Sequence, residues 1–129
     1  MPYLPDVMRS DPIEVAPEDT LGEVAERMSE ANVGAVVVKD FGRLIGILTE
    51  RDMLKAMAAR VHTSEARVRQ WMTEDPITVP TDTDLEEAAR IMLENGFRHL
   101  PVTDELGHVI GIASLRRVVA ATQAAVNPS

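Results

Sequence analysis

Leu44-Ile45-Gly46-Ile47-Leu48-Thr49-Glu50-Arg51-Asp52 changes from aliphatic to charged within two positions. The aliphatic part is a β-prone run, and residues 53–59 after it read as helix. A hydroxyl (Thr49), a cation (Arg51) and a carboxylate (Asp52) therefore cluster at a strand-to-helix junction. One reading is a helix cap, with Thr49 ahead of the helix and acids in its first turn. The other is a binding site, because a helix start leaves backbone N–H groups free and its dipole favours an anion. Taken alone, the stretch favours the cap.

Towards the N-terminus, Ala35-Val36-Val37-Val38 is an uninterrupted apolar run, the pattern of a buried strand. Asp40-Phe41-Gly42-Arg43 is a hairpin turn that joins it to the returning strand, 43–48. Further back, Thr20-Leu21-Gly22-Glu23 has capping-box spacing, and Leu21, Val24, Ala25 and Met28 make one apolar helix face. Asn32 and Gly34 end that helix. Met8-Arg9-Ser10-Asp11-Pro12-Ile13-Glu14-Val15 is a polar turn running into a short extended segment. Pro12 excludes helix before it.

Towards the C-terminus the pattern starts again. Residues 60–70 form a polar connector, with a short helix expected from Ser64 that carries Val68, Trp71 and Met72. Met72-Thr73-Glu74-Asp75-Pro76-Ile77-Thr78-Val79 then repeats the segment that began at Met8. Asp84-Leu85-Glu86-Glu87 repeats the capping pattern, Leu85, Ala88, Ala89 and Met92 the helix face, and Asn95-Gly96 the stop. His99-Leu100-Pro101-Val102 matches Ala35-Val36-Val37-Val38, and Val109-Ile110-Gly111-Ile112 matches Leu44-Ile45-Gly46-Ile47. Residues 115–125 are the closing helix, and Asn127-Pro128-Ser129 is a frayed end. Each half reads β-α-β-β-α over about sixty residues, a size at which burial is marginal, so each half needs a partner surface. The expected repeats are 1–62 and 63–129. Packed sheet to sheet about a pseudo-twofold axis, they would place the two junctions in equivalent clefts, where small-molecule sites tend to lie.

Composition bounds the function. The chain has 129 residues, 45 % hydrophobic and only 3 % aromatic, so the core is aliphatic. The absence of cysteine excludes disulfides, thiolate metal sites and Cys nucleophiles, and it fits a cytoplasmic protein. Met1-Pro2-Tyr3-Leu4-Pro5-Asp6 lacks the basic region and long apolar run of a signal peptide. No apolar run approaches the ~20 residues of a membrane span. The net charge of −8 argues against nucleic acid, which calls for a basic face. Small anions then require clustered arginines. His62, His99 and His108 have no metal-ligand spacing, and Thr81-Asp82-Thr83-Asp84 lacks the glycine and terminal Glu of a calcium loop, so no metal is required. No nucleophile elbow or Walker A loop is present, and no enzymatic chemistry is expected.

Met-x-x-x-Pro-Ile-x-Val, Thr-Leu-x-Glu-x-Ala, the Leu-Pro-Val strand, Gly-x-x-Ile-Gly-Ile and Thr-x-x-Asp together resemble a tandem pair of CBS domains, named after cystathionine β-synthase, over residues 7–121. The resemblance implies an α/β (α+β) protein of two CBS repeats. It also implies a stand-alone regulatory module, not an enzyme, that binds an adenine nucleotide (AMP, ADP or ATP) or a related adenosine compound between its repeats. In the family the hydroxyl and carboxylate of Thr/Ser-x-x-Asp hold the ribose and nearby phosphate. The adenine lies against backbone at the start of the other repeat.

Carried over, the first site takes Ile47, Thr49, Arg51 and Asp52 from repeat one. Asp75 and Ile77 stand at the adenine end, Phe97, Arg98 and His99 before the next strand, and Arg69 is a further candidate. The second site takes Ile13, Gly34, Ala35, Ile112, Ser114, Arg116 and Arg117 and departs from the pattern. Arg117 stands where Asp52 has its carboxylate, and guanidinium only donates. This cleft is either empty or grips a different anion through Arg116 and Arg117. A homodimer is expected, because Met53-Leu54-Met57 and Val118-Val119 look too apolar for a small monomer. Met28, Met53, Met57, Met72 and Met92 read as core, and Trp71 as core or dimer contact. The regulated partner protein is unknown. Two other functions stay open: a ligand-free dimerisation module, and a nucleic-acid binder using the Arg67/Arg69 and Arg116/Arg117 pairs.

Overall fold

The computed structural model describes residues 3–126; the frayed end expected at Asn127-Pro128-Ser129, and Met1-Pro2 of the opening segment, lie outside them. In chain order the elements are α1 (Leu4–Val7), β1 (Arg9–Ser10), β2 (Glu14–Val15), α2 (Leu21–Ala31), β3 (Ala35–Asp40), β4 (Arg43–Thr49) and α3 (Glu50–Ala58). The second half continues with α4 (Val68–Trp71), β5 (Thr73–Glu74), β6 (Val79–Pro80), α5 (Leu85–Asn95), β7 (His99–Thr103), β8 (Val109–Ser114) and α6 (Leu115–Val126). These are mixed α+β, in two four-stranded sheets ordered β2-β3-β4-β5 and β1-β8-β7-β6.

Each sheet takes one strand from the segment that precedes the other repeat in sequence. β5 pairs antiparallel with β4, Ile47 opposite Thr73. β1 pairs antiparallel with β8, Arg9 opposite Ile112. The compact units are accordingly Ile13–Pro76, and Met1–Pro12 together with Ile77–Ser129. These units are bounded by what packs together, whereas the expected repeats of 1–62 and 63–129 were bounded by sequence pattern. The two Met-x-x-x-Pro segments carry this exchange, and each meets a glycine. A Cβ on Gly46 would lie 2.7 Å from Met72 Sδ and 2.9 Å from the Thr73 carbonyl. A Cβ on Gly111 would lie 2.5 Å from Met8 Sδ and 2.9 Å from the Arg9 carbonyl. Gly46 and Gly111, the glycine of each Ile-Gly-Ile strand, are therefore the gaps through which the incoming strands approach.

The first unit buries Leu21, Val24, Met28, Val36, Val38, Leu48, Ala56 and Val68, with Trp71 and Met72 packed against them. The second buries Leu4, Ala88, Met92, Leu100, Val102, Ala113 and Val118. The core is aliphatic in both, as composition requires. α2 begins as the sequence predicts: Thr20 accepts from the Glu23 N–H at 3.2 Å, and Glu23 accepts the Thr20 hydroxyl at 2.8 Å. It ends at Asn32 in the left-handed region, φ 55°. The β3–β4 turn places Phe41 and Gly42 at φ 51° and 76°, the signs of a type I′ turn that matches strand twist.

Several local expectations are corrected. α3 starts at Glu50 rather than Met53, because Thr49 caps it directly. α4 starts at Val68; Ser64 and Glu65 form a turn. Asp84 makes no side-chain cap on α5. Its would-be partner Glu87 instead accepts from Arg90 Nε at 2.9 Å, one turn along the same helix. Met57 is 69 % exposed and is not core. Val118 is fully buried, so of the two apolar faces expected to point outward only Leu54 and Met57 do so, at 65 % and 69 % exposure.

Candidate functional site

The β4–α3 junction is a closed capping box. The Thr49 hydroxyl accepts from the Asp52 N–H at 3.3 Å. Asp52 Oδ2 accepts from the Thr49 N–H at 3.0 Å and from the Thr49 hydroxyl at 3.1 Å. The Glu50 N–H donates to the Gly34 carbonyl at 3.0 Å. The expectation of vacant N–H groups at this helix start is thus corrected: Glu50 and Asp52 have committed theirs. The acceptor capacity left at the junction is on the second carboxylate oxygen. Asp52 is 6 % exposed, and its Oδ1 accepts from the Thr73 hydroxyl at 3.5 Å, a long contact for O–H···O. A carboxylate oxygen has capacity for two donors, so Oδ1 retains acceptor capacity.

The other residues of the first set from this unit lie on the same chain of elements. Ile47 is buried on β4, opposite Thr73. Arg51 is exposed in the first turn of α3. Asp75 follows β5 with φ 47°, and its N–H donates to the Ile45 carbonyl at 3.2 Å. Its counterpart Asp11 has φ 52° and donates to the Ile110 carbonyl at 3.3 Å. A left-handed residue before proline recurs in both repeats, a backbone conformation that only few side chains tolerate. Arg69 is on α4 with its guanidinium ion-paired to Glu18, both exposed. Arg67 Nη1 donates to the Glu18 carbonyl at 2.9 Å.

Ile77, Phe97, Arg98 and His99 belong to the other unit. Ile77 is 43 % exposed, whereas its counterpart Ile13 packs against the first core. Phe97 packs against the second core. His99 stands opposite Ser114 in the β7–β8 ladder, and the Arg98 carbonyl accepts the Leu115 N–H at 2.8 Å. Arg98, His99, Arg116 and Arg117 therefore gather where β7 starts and α6 begins. In the first unit the equivalent positions hold Gly34, Ala35, Arg51 and Asp52, with Ala35 opposite Thr49. The α6 cap is one-way: Ser114 Oγ accepts from the Arg117 N–H at 3.3 Å, and no carboxylate answers it. Ile112 is buried on β8. Sequence reasoning missed Thr73, whose only signal was its place directly after Met72, and missed the carbonyls of Gly34 and Arg98 as acceptors for the helix amides. Among the described residues, no cluster of three or more His, Cys, Asp or Glu side chains could hold a metal ion. None of their helices is long and apolar enough to cross a membrane.

Fold and junction define a class: a duplicated α+β module in which α3 and α6 are each launched from the end of a hairpin strand. The family is the CBS domain, whose model matches residues 5–59 and 68–123, and the chain belongs to it as a tandem pair. It is 44 % identical over 103 residues to an uncharacterized 17.7 kDa protein of Acidianus ambivalens, a match that covers 79 % of this chain and 62 % of that one. The chain thus spans about three-fifths of that relative's length. It is 30 % identical over 115 residues to the CBS domain-containing protein YhcV of Bacillus subtilis, covering 89 % of this chain and 81 % of YhcV. Among solved structures it resembles CBSX2 in complex with AMP, with a TM-score of 0.73, 30 % identity and coverage of 94 % of this chain and 96 % of that one.

Proposed function

We propose that this chain is a regulatory CBS pair, not an enzyme, that binds an adenosine-containing ligand (AMP, ADP, ATP or a close relative) at its first junction. One observation carries the reading: of two equivalent junctions, the first presents a buried carboxylate with one oxygen open to further donors, and the second presents Arg117. A carboxylate accepting ribose hydroxyls makes charge-assisted bonds of about 1.5–3 kcal/mol. The likeness to a solved AMP complex supports the ligand class. The proposed residues are Ile47, Thr49, Arg51, Asp52, Arg69 and Asp75 with Ile77, Phe97, Arg98 and His99. Arg69 would first leave Glu18, a surface ion pair worth only ~0–1 kcal/mol. The second set, Ile13, Gly34, Ala35, Ile112, Ser114, Arg116 and Arg117, is assigned no ribose. Binding would shift the protein between states that differ in affinity for a regulated partner, which requires different ligand affinities in the two states. Cytoplasmic location and a homodimer complete the proposal. Exposed Leu54, Met57 and Leu93 support the dimer, at 65 %, 69 % and 65 %.

The deciding experiment is calorimetry and thermal shift with AMP, ADP, ATP, NAD and S-adenosylmethionine. A ligand at 100 times its Kd adds about 2.7 kcal/mol of stability. Asp52→Ala is expected to abolish that gain and Arg117→Ala to retain it. Unchanged binding by Asp52→Ala would refute the assignment. A nucleic-acid function has less support, since Arg67 and Arg69 are both engaged with Glu18.

A further inference from the structure

The two oxygens of Asp52 have different duties. Oδ2 closes the α3 cap through two donors of Thr49, at 3.0 and 3.1 Å. Oδ1 meets the Thr73 hydroxyl at 3.5 Å, from β5. The other unit lacks both ends of this contact: Arg117 occupies the Asp52 position, and Arg9 the Thr73 position. Hydroxyl and carboxylate are thus present together in one unit and absent together in the other. The pairing is not needed to build the fold, because β1 and β8 form the same ladder without it.

Resting on the adenosine reading above, we propose that the Thr73 hydroxyl is an internal stand-in for a ligand hydroxyl, holding Asp52 Oδ1 in the free protein and yielding it when a ribose binds. Oδ2 already has two donors in the cap, so the two hydroxyls of a ribose must share Oδ1, where they fill both acceptor positions and leave none for Thr73. The Thr73 contact is long, and a ligand hydroxyl at the usual 2.7–2.8 Å outcompetes it. A buried carboxylate oxygen without a donor is costly, so Thr73 stabilises the free protein and lowers the net gain on binding by the same amount. The exchange acts on a sensitive segment. β5 is two residues long, and beyond it Asp75 at φ 47° and Pro76 lead the chain out of this unit at Ile77. Ligand occupancy at Asp52 is thereby coupled to the hold on the strand that connects the units.

The test uses the whole chain, with AMP and ATP as probes. Titration calorimetry and ligand-free melting are compared for the wild type, Thr73→Val, Thr73→Ala and Thr73→Ser. Val keeps the shape and the β preference; Ala removes both, so agreement between them isolates the hydroxyl. Both are expected to melt lower without ligand and to bind about two- to tenfold more tightly. Ser is expected to follow the wild type in both readouts. Equal or weaker binding by Val and Ala, beside a wild type that binds, overturns the exchange and leaves the adenosine reading intact. No binding by the wild type or any of the three variants overturns both.

Discussion

Thr49 and Ser114 occupy equivalent caps of unequal completeness. Thr49 both gives and receives, through Asp52, whereas Ser114 only receives, because the residue three positions on is Arg117. Loss of a cap hydroxyl costs about 0.5–2 kcal/mol. Thr49→Ala is therefore expected near the upper end of that range and Ser114→Ala near the lower end, as read by urea denaturation; equal losses would show that the carboxylate adds nothing to the cap. Thr49 and Asp52 were legible as a cap from spacing, and as a candidate site through the repeat and the family resemblance. That the cap consumes one oxygen of Asp52 and leaves the other to Thr73 was not legible, because Thr73 is twenty-one positions away and reaches Asp52 only through the β4–β5 ladder.

At the level of elements, the exchanged strands depend on Gly46 and Gly111. A methyl group at Gly46 would press on the Thr73 carbonyl as well as on flexible Met72, and a carbonyl in a ladder has little room to yield. Gly46→Ala and Gly111→Ala are each expected to destabilise by roughly 1–3 kcal/mol, the range for overpacking, measured by chemical denaturation. The β7–β8 hairpin offers a pH test. Asp104 Oδ1 accepts the His108 and Leu106 N–H groups, each at 2.9 Å. These bonds, the His108 N–H foremost, hold its carboxyl below the ordinary range. A lowered carboxylate pKa stabilises the fold above the unfolded value of about 3.9 and loses that contribution as pH falls through the folded value. Amide exchange at Leu106 and His108 is expected to quicken as pH falls below about 4, beyond the intrinsic pH trend, and Asp104→Asn to remove that step. The hairpin itself was plain from Asp-x-x-Gly; the reach of one carboxylate to two amides is a property of the folded turn.

For the whole molecule, the interleaving predicts which fragments fold. Residues 13–76 contain every strand of their sheet, whereas 1–62 lack β5 and carry β1 without its partner β8. In thermal melts followed by circular dichroism, 13–76 is expected to unfold cooperatively at a lower temperature than the full chain, and 1–62 to show no cooperative transition. A cooperative 1–62 would mean that β5 contributes little. The duplication, the α+β class, the β-α-β-β-α order within each half and the asymmetry of Asp52 against Arg117 were all determined by the sequence itself, because periodicity and turn chemistry are local and a repeat states them twice. Only the tertiary structure decided that each Met-x-x-x-Pro segment completes the other repeat's sheet, that Val118 is core, and that Thr73 meets Asp52. Those outcomes depend on which distant backbone fills the gap over Gly46 or Gly111, a choice made by close packing between segments that no local pattern encodes.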